Sequence, residues 1–299
     1  MIDEETVTQA ATLMPQPERS VVAVAPPGTG PGTWAGAPSA VRDDGKIYLA
    51  YRLRQPRGRG YAVAVARSAD GERFETLLTI DRRELGAESL ERPALVAAPD
   101  GGWRLYLSCA TPGTEHWRVQ VIEAGHPGAF DARRSRVVLP GDARTAVKDP
   151  VIIHDGGLWH LWASVHPLDD PDQTDRMATD YAVSADGLAW TWQGTALSPR
   201  PGEWDARGVR VSAVRFGQDE VVAYYDGRAS AAENFEERTG VAAGAGPAAL
   251  TARGPIASSP YGRGGLRYLC ILRVGDARER YYYEMTRADG AHELRTELR

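Results

Sequence analysis

The chain has 299 residues, 42% of them hydrophobic and 25% charged, with a net charge of −5. That supplies a full core and, with the acidic balance, argues against a nucleic-acid partner; no apolar run approaches a membrane span, so no membrane partner is expected. Two cysteines are too few for a disulfide framework, and the acidic start, Met1-Ile2-Asp3-Glu4-Glu5, lacks the apolar segment of a secretory leader, so a cytoplasmic protein with two buried thiols, Cys109 and Cys270, is expected.

Residues 1–19 are polar, carry Pro15 and Pro17, and read as a tail. Ser20 to Ala25 is a strand, and Pro26 to Thr33 is a Gly/Pro loop. From Trp34 onward helical periodicity is almost absent. Short β-rich runs alternate with turn residues instead, which makes the fold class all-β.

The runs repeat. Strand heads begin at Ala37-Pro38, Arg92-Pro93, Asp149-Pro150, Arg210-Val211 and, more faintly, Arg267-Tyr268. The steps from 37 to 92, 149, 210 and 267 are 55, 57, 61 and 57 residues. The first four heads lead through a turn into a second strand, as Asp155-Gly156-Gly157 leads into Leu158 to Ala163; Asp-Gly between alternating apolar runs is a hairpin signal. A second marker, Ser68-Ala69-Asp70-Gly71, returns as Ser184-Ala185-Asp186-Gly187, and Ala288-Asp289-Gly290 resembles it. These markers give five four-stranded units over residues 20–299, the makings of a five-bladed β-propeller. The strand near Val21–Val24 is expected to complete the last blade.

In that architecture the heads of the inner strands and the loops after the second strands converge on one face, where ligand sites collect. Charge enters this face where burial without partners is expensive. Candidate catalytic carboxylates are Asp149, Glu91, Asp226 and Glu237, and candidate substrate-binding residues are Arg52, Arg92, Trp117, Lys148, His166, Arg210, Arg228, Glu233 and Asn234. Carboxylates and arginines beside Trp34, Trp117, Trp204 and several tyrosines suit a small-molecule carbohydrate, and glycosyl transfer needs two carboxyl groups in different protonation states. The excess of arginine suits a phosphate or a uronic carboxylate. Asp170, Asp172 and Asp175 are spaced as oxygen ligands for a structural calcium, but a solvated acidic loop is the favoured reading, and no cofactor or metal is expected.

Five units with Asp149-Pro150 at an inner strand head resemble the five-bladed propeller glycosidases: glycoside hydrolase family 43 and its relatives, the family 32 fructosidases and family 130 mannoside phosphorylases. The resemblance implies that Asp149 orients the site and adjusts the acid's pKa, as the third-blade Asp does in family 43. It departs at two positions, because Ala37 stands where that family has its base and Arg210 where it has its acid. Glu91-Arg92-Pro93 is similar to the second-blade acidic motif of families 32 and 130, shifted by one residue. The expected function is a glycoside-processing enzyme, a hydrolase or a phosphorylase, on an anionic or phosphorylated sugar. The alternative is a propeller that binds carbohydrate or a small anion without catalysis, its usual carboxylates lost.

Overall fold

The computed structural model describes residues 14–275 and 278–299. Most of the expected tail lies outside them; its described part ends in a turn of 3-10 helix, Pro17–Arg19. Among the described residues there is no α-helix, and the strands form antiparallel sheets.

Strand β1 (Val21–Val24) precedes four complete groups of four. The first is β2 (Trp34–Asp43), β3 (Lys46–Gln55), β4 (Arg59–Ser68) and β5 (Glu75–Asp81). The second is β6 (Leu90–Ala97), β7 (Trp103–Ala110), β8 (Trp117–Ala124) and β9 (Arg136–Leu139). The third is β10 (Thr145–Asp155), β11 (Leu158–Pro167), β12 (Ala178–Ser184) and β13 (Thr191–Leu197). The fourth is β14 (Gly208–Phe216), β15 (Val221–Arg228), β16 (Arg238–Gly246) and β17 (Ala249–Ala257). The fifth has β18 (Leu266–Arg273), β19 (Glu279–Thr286) and β20 (His292–Leu298), and takes its fourth strand from β1, which pairs antiparallel with β20 as expected. One parallel contact, Trp34 with His292, joins the fifth group to the first.

The core lies between groups. Tyr48 and Val65 meet Leu95 and Trp103; Tyr106 and Val121 meet Ile152 and Trp159; Trp162 and Tyr181 meet Val211 and Ala223. Tyr224 and Val241 meet Leu269 and Tyr281, and Leu272 and Tyr282 meet Leu49 and Ala64, so the last group packs on the first. The inner strands of each β-sheet thus bury both faces against its neighbours, the reason they read as apolar runs, while outer strands such as β13 and β17 are largely exposed. The first strands touch in sequence, β2 to β6 to β10 to β14 to β18 and back to β2.

The repeated Ser-x-Asp-Gly marker is a turn that satisfies its own backbone. Asp70 accepts the N–H groups of Glu72 and Arg73 at 2.9 Å, and Ser68 Oγ accepts that of Gly71 at 2.8 Å. Asp186 and Ser184 repeat this on Leu188, Ala189 and Gly187. Each turn is then held by the preceding group: Tyr106 donates to the Gly187 carbonyl and Tyr282 to the Gly71 carbonyl, both at 2.9 Å.

All five first strands carry a register irregularity near the head, between Gly36 and Ser39, Leu90 and Pro93, Lys148 and Val151, Val211 and Ala213, and Arg267 and Cys270. Such an extra residue bends a strand and re-aims its side chains. It also corrects the expected alignment. The residue matching Asp149 is Glu91 in the second group, Ser212 in the fourth and Tyr268 in the fifth, not Arg92, Arg210 and Arg267. Ala37, Asp149 and Tyr268 all adopt left-handed backbone, with φ of 52°, 53° and 57°. Asp tolerates this; for a bulky residue such as Tyr268 it is an outlier held by its surroundings.

Candidate functional site

The strand heads enclose a cavity of about 130 Å³. First strands contribute Glu91, Lys148, Arg210, Arg267 and Tyr268; Trp117 opens β8; His166 and Arg228 close β11 and β15; Glu237 precedes β16. These positions lie at one end of every sheet because first-strand starts, second-strand ends and third-strand starts are neighbours in an antiparallel meander.

The charges form an alternating chain. Glu91 meets Arg52, Arg52 meets Glu284 at 2.6 Å, Glu284 meets Arg267 at 2.7 Å, Arg267 meets Glu237 at 2.7 Å, and Glu237 meets Arg228. Below it Arg210 bridges Asp226 at 2.9 Å and Asp149 at 3.2 Å, and its guanidinium lies 3.8 Å from the Tyr268 ring centre. Buried charges at this density stand only because each has partners and hydrogen bonds. The arginines overcome burial, hold Glu91 down to about 2 and keep Glu237 and Glu284 well below the usual carboxylate range. Asp226 is the exception: burial outweighs the pull of Arg210 and pushes its carboxyl up.

Lys148 and His166 are among the cavity groups left able to meet a ligand. Lys148 Nζ has its nearest carboxylate, Asp149, at 3.9 Å and rests 4.8 Å from the Trp117 ring centre. Burial lowers its pKa. His166 Nδ1 lies 3.0 Å from the Thr174 carbonyl, which can only accept, so Nδ1 carries the hydrogen and Nε2 is a bare acceptor, buried and without a partner. Burial, together with the positive charges of Lys148 and Arg228, holds this histidine well below its ordinary pKa and keeps it neutral.

Of the expected site residues, Glu91, Glu237, Trp117, Lys148, His166, Arg210, Arg228 and Asn234 line the cavity. Asp149 and Asp226 do not. Both are fully buried beneath it, where their carboxylates meet Arg210 and accept from the backbone N–H groups of Arg92 and Tyr268. Arg52 is fully buried between its two glutamates, Arg92 turns to the opposite side of the heads, and Glu233 caps its own loop by accepting from Ala229 N and Arg238. Trp34 packs between Arg54 and His292, and Trp204 stacks on Tyr225, so neither lies on the cavity wall. Asp170, Asp172 and Asp175 do not converge: Asp170 accepts from Asp172 N and Gln173, and Asp175 pairs with Arg207 at 2.5 Å.

Sequence reasoning missed Glu284 and assigned no role to Tyr268 and Phe235. Glu284 carried a signal, since it is a lone charge in the apolar run Tyr281-Tyr282-Tyr283 and occupies the second-strand position that Arg52 occupies in the first group. Gly36 makes its room: a Cβ there would sit 2.0 Å from Glu284 Oε2.

No family model and no curated protein matches the sequence. Solved structures do. A thermostable family-43 glycoside hydrolase aligns with TM-score 0.69 at 12% identity, over 91% of both chains. An endo-1,4-beta-xylanase from Bacteroides thetaiotaomicron aligns with TM-score 0.68 at 12% identity, over 90% of both chains. The beta-1,2-mannobiose phosphorylase from Listeria innocua aligns with TM-score 0.64 at 14% identity, over 96% of this chain and 93% of that one. The likeness is one of fold, and in fold the chain resembles glycoside hydrolases and phosphorylases.

Proposed function

We propose that the five groups close into a five-bladed propeller and that the strand-head cavity processes a glycoside bearing an anionic group. The observation that carries this is the lining itself: Glu91 and Glu237 share one small cavity with Lys148, Arg210, Arg228, Arg267 and an aromatic wall at Trp117. The cations suit phosphate or a uronic carboxylate, and the indole suits the apolar side of a sugar ring. The activities of the glycoside hydrolases and phosphorylases of this fold support the reading by analogy.

Glycosyl transfer needs one protonated carboxyl and one ionised one. Unliganded, both glutamates are held ionised by arginine. An anionic substituent resting on Arg228 and Arg267 competes with Glu237 for them and raises its carboxyl toward a proton-carrying range. Glu237 then protonates the glycosidic oxygen, and Glu91 takes a proton from the water that attacks the anomeric carbon. In the phosphorolytic variant, phosphate attacks in place of water. Asp149 acts through Arg210 and Lys148 as a positioning residue.

The pairing of Glu91 and Glu237 with arginines favours a second reading, a propeller that binds the same sugar without turnover. One screen separates the two. Aryl glycosides, uronic and phosphorylated sugars are assayed for turnover, with thermal shift reporting binding. Turnover that disappears in Glu237→Gln and Glu91→Gln and falls in Asp149→Asn supports the enzyme; a thermal shift with no turnover supports the binder; neither signal across the panel sinks both.

A further inference from the structure

Beyond the bulges, on the side of the first hairpin turns, the five first strands enclose a second cavity of about 390 Å³. Each strand contributes apolar wall: Val41, Leu95, Ile152, Val214 and Ile271. At its inner end is Arg92, which is 3% exposed.

Arg92 differs from the other arginines of the heads. Arg52, Arg210, Arg228 and Arg267 each meet a carboxylate. Arg92 Nη2 donates to the Ser212 carbonyl at 2.6 Å, while Nε and Nη1 have no partner. The Tyr268 ring centre is 5.9 Å away, and the Asp149 carboxylate is taken up by the Arg92 backbone N–H and by Arg210 rather than by the Arg92 side chain. Leaving a buried guanidinium with two nitrogens unsatisfied is expensive. The bulge fixes the cause, because it sends the Arg92 side chain to the side of the heads opposite Glu91.

We propose that this second cavity binds a monocarboxylate with an alkyl chain, its carboxylate accepting from Arg92 and its chain lying along the apolar walls. One unpaired cation at the end of an apolar chamber matches one negative charge on an apolar body. A phosphate would bring a second charge and two more oxygens to a site with a single guanidinium. A neutral hydrocarbon would leave Arg92 unsatisfied. The site is separate from the strand-head cavity and does not depend on glycoside chemistry.

The test uses the whole protein and calorimetric titration with sodium octanoate, with octan-1-ol as the uncharged control and sodium acetate and sodium chloride as anions without a chain. Octanoate is expected to saturate a single site at least roughly ten-fold more tightly than octanol or acetate. Arg92→Gln should remove that preference over octanol. Val214→Trp, which fills the chamber and leaves Arg92 in place, should block octanoate. Equal binding of octanoate and octanol, binding of chloride or acetate as tight as octanoate, or no octanoate binding overturns the proposal. The two variants place the site independently of each other, and a preference for octanoate that survives Arg92→Gln also overturns the proposal.

Discussion

Glu237 and Arg267 stand 2.7 Å apart, both side chains almost fully buried, and this pair joins the carboxylate that reaches the cavity to the arginine that also holds Glu284. Removing Glu237 leaves Arg267 with only Glu284, and Arg228 with only Asp175 at 3.7 Å, as carboxylate partners. Glu237→Ala should therefore destabilise the fold by about 3 kcal/mol, while Glu237→Gln, which keeps an acceptor, should cost less. Urea denaturation of both variants measures the difference; an alanine variant as stable as the parent would show that the chain of charges does not hold the heads together.

The depressed carboxylates set an acid limit. Glu91, Glu237 and Glu284 have folded pKa values below their ordinary one, so their stabilisation is fully present above about 4.5 and is lost as pH falls, for Glu91 through about 2. His166 acts earlier. Its folded pKa is also depressed, so below 6.5 the unfolded chain binds a proton that the native state refuses. Each such group contributes a slope of up to about 1.4 kcal/mol per pH unit. Unfolding free energies measured from pH 7 to 4.5 should decline, and His166→Phe should flatten that decline while leaving the steeper fall at lower pH.

Neighbouring residues at the first strand head should respond in opposite directions. Gly36→Ala would put a methyl 2.0 Å from Glu284 Oε2 and force the carboxylate off Arg52, costing about 3 kcal/mol. Ala37→Gly relieves a left-handed φ of 52° and should stabilise by about 0.5–1 kcal/mol. Thermal melts of the two variants give the two signs directly.

The tyrosine links between groups should be worth about 1 kcal/mol each. Tyr106→Phe leaves the Gly187 carbonyl without its donor, and Tyr282→Phe does the same to Gly71. The two sit in different groups with no shared partner, so the double variant should be additive. A sum well beyond the single effects would mean that loosening one junction strains the other.

The repeat, the strand heads and the clasp at Val21–Val24 were legible because hairpin turns and apolar runs leave a period in the sequence. The direction of each charged side chain was not. One inserted residue per first strand decides whether a head residue faces the upper cavity, as Glu91 does, or the lower one, as Arg92 does. Nothing in Glu91-Arg92-Pro93 marks where that residue falls. The same shift made Arg210 look equivalent to Asp149, when Ser212 sits at the irregularity and Arg210 is Asp149's ion partner. Pairings such as Arg52 with Glu284 join residues more than two hundred positions apart, beyond any local pattern.

The pairing of β1 with β20 has a consequence for how the chain is made. Synthesis delivers Arg52 and Glu237 to the nascent chain before Arg267 and Glu284, so the first four groups emerge with part of their buried charge unanswered. Until β18 to β20 arrive and β1 is captured, those heads stay open to water. Docking of the last group, burial of the charges and completion of the cavity therefore become one late event, and such distant contacts form slowly.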